Sequence, residues 1–257
     1  MDIFMDFNAD LGEGLGAYSY GADEELLPLV TSANIACGWH GGDPSVIRRA
    51  VHLAAGNGVV IGAHPGYPDR LGFGRRNMSI SPQEAEDMIL YQIGALDGIC
   101  RAEGTRVRYV KPHGALYNAA VKDHTLASAI VRAVQSYGGL SLLCPGGSAM
   151  EQEAQRAGVR TASEFFADRG YREDGSLVPR TEPGAVISDF SAICARVLRA
   201  VREGAVETAG GTLIPVRADS VCLHGDNPEA AAIAARLRAA VLEAGIALRP
   251  FEGRDTP

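Results

Sequence analysis

Short apolar runs alternate with amphipathic segments along all 257 residues of the chain. The strand-like runs lie at 3–10, 32–37, 59–64, 106–113, 140–144, 159–168 and 220–224. Helical periodicity fills the intervals near 43–57, 81–103, 124–137, 147–157, 189–203 and 227–244, with a shorter candidate at 22–30. Asp43-Pro44, Ser81-Pro82 and Asn227-Pro228 each place a capping side chain before a proline at the first helical position. Ser81 with Glu84 adds a capping box. About seven strand–helix alternations without a linker predict one parallel α/β domain spanning 1–257. The segment near 169–188, irregular and rich in Arg, Gly and Pro, reads as a long functional loop.

An open doubly wound sheet and a closed barrel share this alternation. An open sheet gathers its chemistry at one switch point, whereas a barrel gathers it from the ends of many strands. Here nearly every strand ends in reactive polar residues, and they recur at i, i+2, which puts them on one strand face. Asp6, Asn8 and Asp10 do so on the first strand, Lys111 and His113 on the fourth, Glu164 and Asp168 on the sixth, and His224 and Asp226 at the last; His64 ends the third. Convergence of these faces predicts a seven-stranded parallel β/α barrel with one polar mouth.

Composition narrows the function. The net charge is −7, with 24 basic against 31 acidic residues and no basic run, which argues against nucleic acid or an anionic membrane as partner. The first basic residue is Arg48, so no secretory signal is expected. The longest stretch free of Asp, Glu, Lys, Arg and His, 133–150, is broken by glycines and a proline and does not read as a membrane span. Five cysteines without a CxxC pair suit free thiols in a reducing cytoplasm.

Candidate chemistry lies in six segments. Asn8, Asp10 and Glu13 flank a glycine-rich turn and could hold Mg²⁺ or act as acid and base. His40 stands among glycines before the helix that opens at Pro44, where free backbone N–H groups would suit an oxyanion. His64 leads into a loop carrying Arg75 and Arg76, machinery for an anionic substrate. Lys111 is one of only two lysines, the other being Lys122, so a compact ammonium beside His113 points to a requirement rather than to chance. Tyr117 and Asn118 follow it. Glu164 and Asp168 precede the long loop with Arg180, and His224 and Asp226 close the last strand. Lys122, His124 and His52 read as surface charge or structure, and Cys37, Cys144 and Cys222 as packing.

These segments, which run in order from Asn8 to Pro228, resemble the LamB/YcsF family, which supplies the A component of bacterial 5-oxoprolinases. One departure is Phe7-Asn8-Ala9-Asp10, where the family commonly reads Leu-Asn-Cys-Asp. Another is glycine at Gly41 and Gly66 in place of frequent bulkier residues, which would widen the mouth. The resemblance implies a seven-stranded barrel similar to the glycoside hydrolase/polysaccharide deacetylase barrel. It also implies ATP-dependent opening of 5-oxoproline to L-glutamate in a complex with subunits B and C. ATP would act as cosubstrate with Mg²⁺ on Asp10 and Glu13, Lys111 and Arg76 would hold the phosphate, and His113 or His224 would be the base. Two other readings stand beside it: a metal-dependent amide or ester hydrolase acting alone through Asp10, His40, His64 and His113, and a non-catalytic ligand-binding subunit.

Overall fold

A computed structural model describes residues 3–18, 22–223 and 230–252. In chain order the elements are β1 (Phe4–Leu11), α1 (Asp23–Leu26) with a 3-10 turn (Leu27–Leu29), β2 (Ser32–Ala36), α2 (Pro44–Gly56), β3 (Val60–His64), α3 (Pro82–Ala102) and β4 (Val107–Val110). There follow α4 (Gly114–Ala120), α5 (His124–Tyr137), β5 (Ser141–Cys144), α6 (Ala149–Ala157), β6 (Thr161–Phe166) and α7 (Phe190–Glu203). The chain ends with β7 (Ala205–Glu207), β8 (Leu213–Pro215), β9 (Ser220–Leu223), α8 (Ala230–Glu243) and β10 (Ala247–Leu248). Strands β1 to β6 pair in sequence order, all parallel, and β9 pairs with both β6 and β1 to close a seven-stranded barrel. The expected architecture is thus the observed one.

The helix ends follow the local chemistry. Asp43 caps α2 by accepting from the Ser45 and Val46 N–H groups. Ser81 and Glu84 form the expected capping box on α3. Among the described residues no helix is long and apolar enough to cross a membrane.

Side-chain alternation sorts the strands into two layers. On β1, Met5, Phe7, Ala9 and Leu11 join the large apolar layer beneath the helices, while Asp6, Asn8 and Asp10 turn into the barrel. Ala9, where the family pattern has Cys, therefore lies in the outer packing layer and not in the site. The interior holds a small apolar cluster of Val60, Tyr109, Leu143 and Ala162, with Phe251 against Tyr109. Above it Asp6 accepts from Thr31, Ser32 and Ser220, so this buried carboxyl is fully hydrogen-bonded.

The differences from expectation are local. The fourth strand stops at Val110, leaving Lys111 and His113 just beyond its end, and α4 begins at once. That helix has seven residues and no side-chain cap, so it carries little sequence signal. The β7–β8 hairpin and the short β10, which pairs with the start of β1, were not expected either. The long loop is not loose: buried Arg169 donates to the carbonyls of Val178 and Ala185 and pins its two arms together.

Candidate active site

Two adjoining clusters fill the C-terminal mouth of the barrel. The first centres on Lys111. Its Nζ lies 2.7 Å from Glu164 Oε1, 2.9 Å from Asp10 Oδ1, and 3.3 Å from both Asn8 Oδ1 and Cys222 Sγ. Burial alone would lower the lysine pKa, but the carboxylates of Asp10 and Glu164 outweigh it and hold the group well above its ordinary value. Asn34 Nδ2 donates to Asn8 Oδ1 at 2.7 Å and Asp10 Oδ1 at 2.8 Å, and its own oxygen accepts from Tyr109 OH at 2.6 Å. Tyr117 OH donates to Glu164 Oε2 at 2.7 Å. An ammonium has three N–H groups, and four acceptors already surround this one. Lys111 is therefore engaged in positioning Asp10, and the expectation that it reaches out to a phosphate does not fit its surroundings.

The second cluster is imidazole-rich. His64 and His113 meet through Nε2 and Nδ1 at 3.0 Å. His40 stacks on His113 with ring centroids 3.7 Å apart and planes 4° from parallel. Glu13 Oε1 lies 3.0 Å from His40 Nε2 and 3.5 Å from His113 Nδ1. Asp10 Oδ2, 3.4 Å from His64 Nε2, joins the two clusters. One donor atom from each of Glu13, His40, His64 and His113 can be chosen so that all four lie within 4.8 Å of one another, and all four residues are buried. These are the side chains that could hold a metal ion. Burial, reinforced by the Asp10 charge, pushes the Glu13 carboxyl up to about 8, and burial holds His40 and His113 well below the ordinary imidazole value.

The segment after β3 roofs this cluster. Phe73, at φ 54°, is the one non-glycine in the left-handed region among the described residues. Its carbonyl accepts from His113 Nε2 at 2.8 Å, and its ring stands edge-on to both His40 and His113. Strain of this kind persists where the surroundings over-determine it, as at functional sites. A Cβ on Gly74 would come within 2.8 Å of both His40 and His113, and one on Gly66 within 2.7 Å of His40 Nδ1. Gly66 therefore makes room for the His40 ring rather than widening the mouth, as does Gly41 for Glu13.

Several expected site residues stand elsewhere. Arg76 pairs with Asp69, holding that carboxyl down to about 2, so it braces its own loop. Arg75 is the loop cation whose charge reaches the site: its guanidinium lies 5.1 Å over the Phe73 ring and bears on Glu13. The helix N-terminus after His40 is no anion site, because the Asp43 side chain already accepts from its N–H groups. Asn118 and Arg180 are exposed, and Asp168 is half-buried at the foot of the long loop. His224 and Asp226 lie outside the described residues. Asn34, Tyr109 and Cys222 were missed as site residues. Each lies two positions from an inward polar residue, at Ser32, Lys111 and Ser220, so strand alternation could have found them. Cys37 and Cys144 do sit in the outer apolar layer, where burial pushes their thiols up to about 12.

A family model described as LamB/YcsF family matches residues 5–256. A protein from Pyrococcus abyssi, named as the A component of 5-oxoprolinase, is 49% identical over 249 residues, covering 96% of this chain and 98% of that protein. One of the same name from Bacillus subtilis is 51% identical over 243 residues, covering 94% and 95%. The crystal structure of a lactam utilization protein from Thermus thermophilus superposes with a TM-score of 0.92 at 48% identity, covering 96% of this chain and 100% of that one. A peptidoglycan N-acetylglucosamine deacetylase domain from Eubacterium rectale shares the fold, with a TM-score of 0.52 at 10% identity, covering 99% of this chain and 89% of that one.

Proposed function

Because the chain belongs to the LamB/YcsF family, we propose that it is the A component of a 5-oxoprolinase, opening 5-oxoproline to L-glutamate with ATP and with partner subunits B and C. The observation that carries this reading is identity near one half, over nearly the whole length, to relatives bearing that name. A five-membered lactam is a resonance-stabilised amide and a poor electrophile. Phosphorylation of its oxygen by ATP, with Mg²⁺ as the usual companion, makes the carbonyl carbon open to water. Attack of water followed by loss of the ring nitrogen gives an amine and a γ-acyl phosphate, and a second water releases inorganic phosphate to leave the γ-carboxylate of glutamate.

Within this chain Asp10 is the base for that water. It is the most exposed carboxylate of the two clusters, at 19% of its side chain against 8% for Glu13 and none for Glu164. Lys111 and Asn34 hold Oδ1, so Oδ2 takes the proton in a fixed direction. Arg75 supplies positive charge at the rim, facing an anionic substrate. Lys111, itself held by Glu164, places its ammonium against Asp10 Oδ1.

The test is reconstitution. The purified chain mixed with subunits B and C, ATP and 5-oxoproline should release glutamate and ADP together. No glutamate from that mixture, while the Bacillus subtilis relative in its place yields it, overturns the assignment. The imidazole-rich cluster favours a second reading, a hydrolase of amides or esters acting alone. Turnover by the chain without partners or ATP would decide for it.

A further inference from the structure

Two hydrogen bonds fix the proton positions on the central histidines. His64 Nδ1 lies 2.7 Å from the carbonyl oxygen of Lys111, and His113 Nε2 lies 2.8 Å from that of Phe73. A carbonyl oxygen only accepts, so each of these nitrogens carries its ring's N–H. The other nitrogens, His64 Nε2 and His113 Nδ1, are then the lone-pair atoms of neutral rings. Yet these are the two that face each other at 3.0 Å. Two bare lone pairs at that distance repel, and a cation must stand between or beside them.

A single proton could serve that pair, but it would leave the rest of the arrangement without a purpose. Glu13 Oε1 is turned onto His113 Nδ1 at 3.5 Å and onto His40 Nε2 at 3.0 Å. His40 is 1% exposed, and its Nδ1 is buried without a hydrogen-bond partner. The strained Phe73 and the bare Gly74 together press the His113 and His40 rings into this space. Imidazoles anchored by backbone carbonyls on their far side, with lone pairs converging on a carboxylate, are how proteins orient metal ligands.

We propose that the chain binds one first-row transition-metal ion of the zinc and cobalt class through His64 Nε2, His113 Nδ1, His40 and Glu13. With bonds of about 2.1 Å, neighbouring donors on one ion stand roughly 3.0–3.4 Å apart, a range met or approached by His64–His113 and His40–Glu13 at 3.0 Å and His113–Glu13 at 3.5 Å, with all four donors within 4.8 Å of one another. Three imidazoles and one carboxylate suit such an ion, whereas Mg²⁺ takes oxygen donors and keeps its water. The site is therefore separate from the Mg²⁺ that accompanies ATP. The inference does not rest on the reaction proposed above, and the two fail separately.

The experiment uses the full-length chain, stripped with chelator and titrated with Co²⁺. Visible d–d absorption should saturate at about one equivalent, Zn²⁺ should abolish it by competition, and either ion should raise the melting temperature by mass action. His64→Asn and His40→Asn should each weaken Co²⁺ binding by about a hundredfold or more, while His52→Asn, altering an exposed imidazole paired with Glu103, should change nothing. If the ligand variants do not fold, the wild-type titration decides alone. Neither absorption nor a thermal shift at millimolar Co²⁺ or Zn²⁺ means that the histidines share a proton, and overturns the proposal. Undiminished binding in folded His64→Asn also overturns it. Metal bound at this site without glutamate release under any condition overturns the reaction instead.

Discussion

Lys111 is 3% exposed between two carboxylates, and that burial changes what its substitution should do. A lysine at a polar rim would cost little stability to replace. In the fold, Lys111→Met strands Asp10 and Glu164 without their counter-ion, and breaking one half of a buried pair costs about 3–5 kcal/mol. Calorimetry should show a large fall in melting temperature for Lys111→Met and almost none for Lys122→Met, whose ammonium is exposed beside Asp174. Turnover of the reconstituted complex, measured below the variant's melting temperature, should fall about a hundredfold or more for Lys111→Met because Asp10 loses its orientation. Equal melting temperatures would show that Lys111 is not the paired residue described above. Asp6 offers a test of sign. Burial pushes its carboxyl up to about 6 from an ordinary 3.8, against the pull of Ser220, Thr31 and Ser32. A raised folded pKa gives stability that is complete below the unfolded value and lost as pH rises through the folded one. The unfolding free energy of wild type minus that of Asp6→Asn should therefore decline from pH 4 to pH 6.5, by about 3 kcal/mol at most. A flat or rising difference would mean that Asp6 is ionised throughout.

Strands set the spacing of the site, and one glycine allows the barrel to close around Tyr109. A Cβ on Gly62 of β3 would fall 2.2 Å from the Tyr109 ring, which crosses from β4 to reach Asn34 on β2. Neither strand backbone can yield by that much. Gly62→Ala should destabilise by about 1–3 kcal/mol or more through overpacking. Gly62→Ala combined with Tyr109→Leu should recover part of the loss, seen as a favourable coupling in urea melts of the four proteins. Additive effects would place the cost elsewhere. The segment after β3 behaves as a roof whose shape matters more than its charge. Gly74→Ala, at φ 63° and against both His40 and His113, should displace the rings. Turnover should fall at least about tenfold with a much smaller change in melting temperature, since the strained turn is peripheral to the core. The elements themselves were largely legible in the sequence, because strand and helix periods and the Asp43-Pro44 and Ser81-Pro82 caps are local signals. Helix α4 was not, being short and capped by no side chain.

At the scale of the whole molecule, the barrel brings to one mouth residues that the chain holds far apart. Lys111 and Asp10 are 101 positions apart, His113 and His64 are 49 apart, and Tyr117 and Glu164 are 47 apart. The alternation of β and α segments specified the parallel architecture, since a parallel strand pair requires a crossover and the crossovers here are helical. The polar residues at i, i+2 near the strand ends specified that chemistry would gather on the inner face, because side chains on a strand repeat every two residues. That Asp10, His64, Lys111, His113 and Glu164 would gather at one mouth was thus legible, with Glu13 and His40 just past strand ends beside them. Their roles were not. Whether Arg75 or Arg76 faces the site depends on Asp69 capturing one of them. Which nitrogen of His64 and His113 keeps its proton depends on the carbonyls of Lys111 and Phe73. Whether Lys111 reaches outward depends on how many acceptors close around its ammonium. Periodicity is a property of consecutive residues and can be read from them. Hydrogen-bond partnership, burial and proton position belong to pairs distant in the chain, and only closure of the barrel decides them.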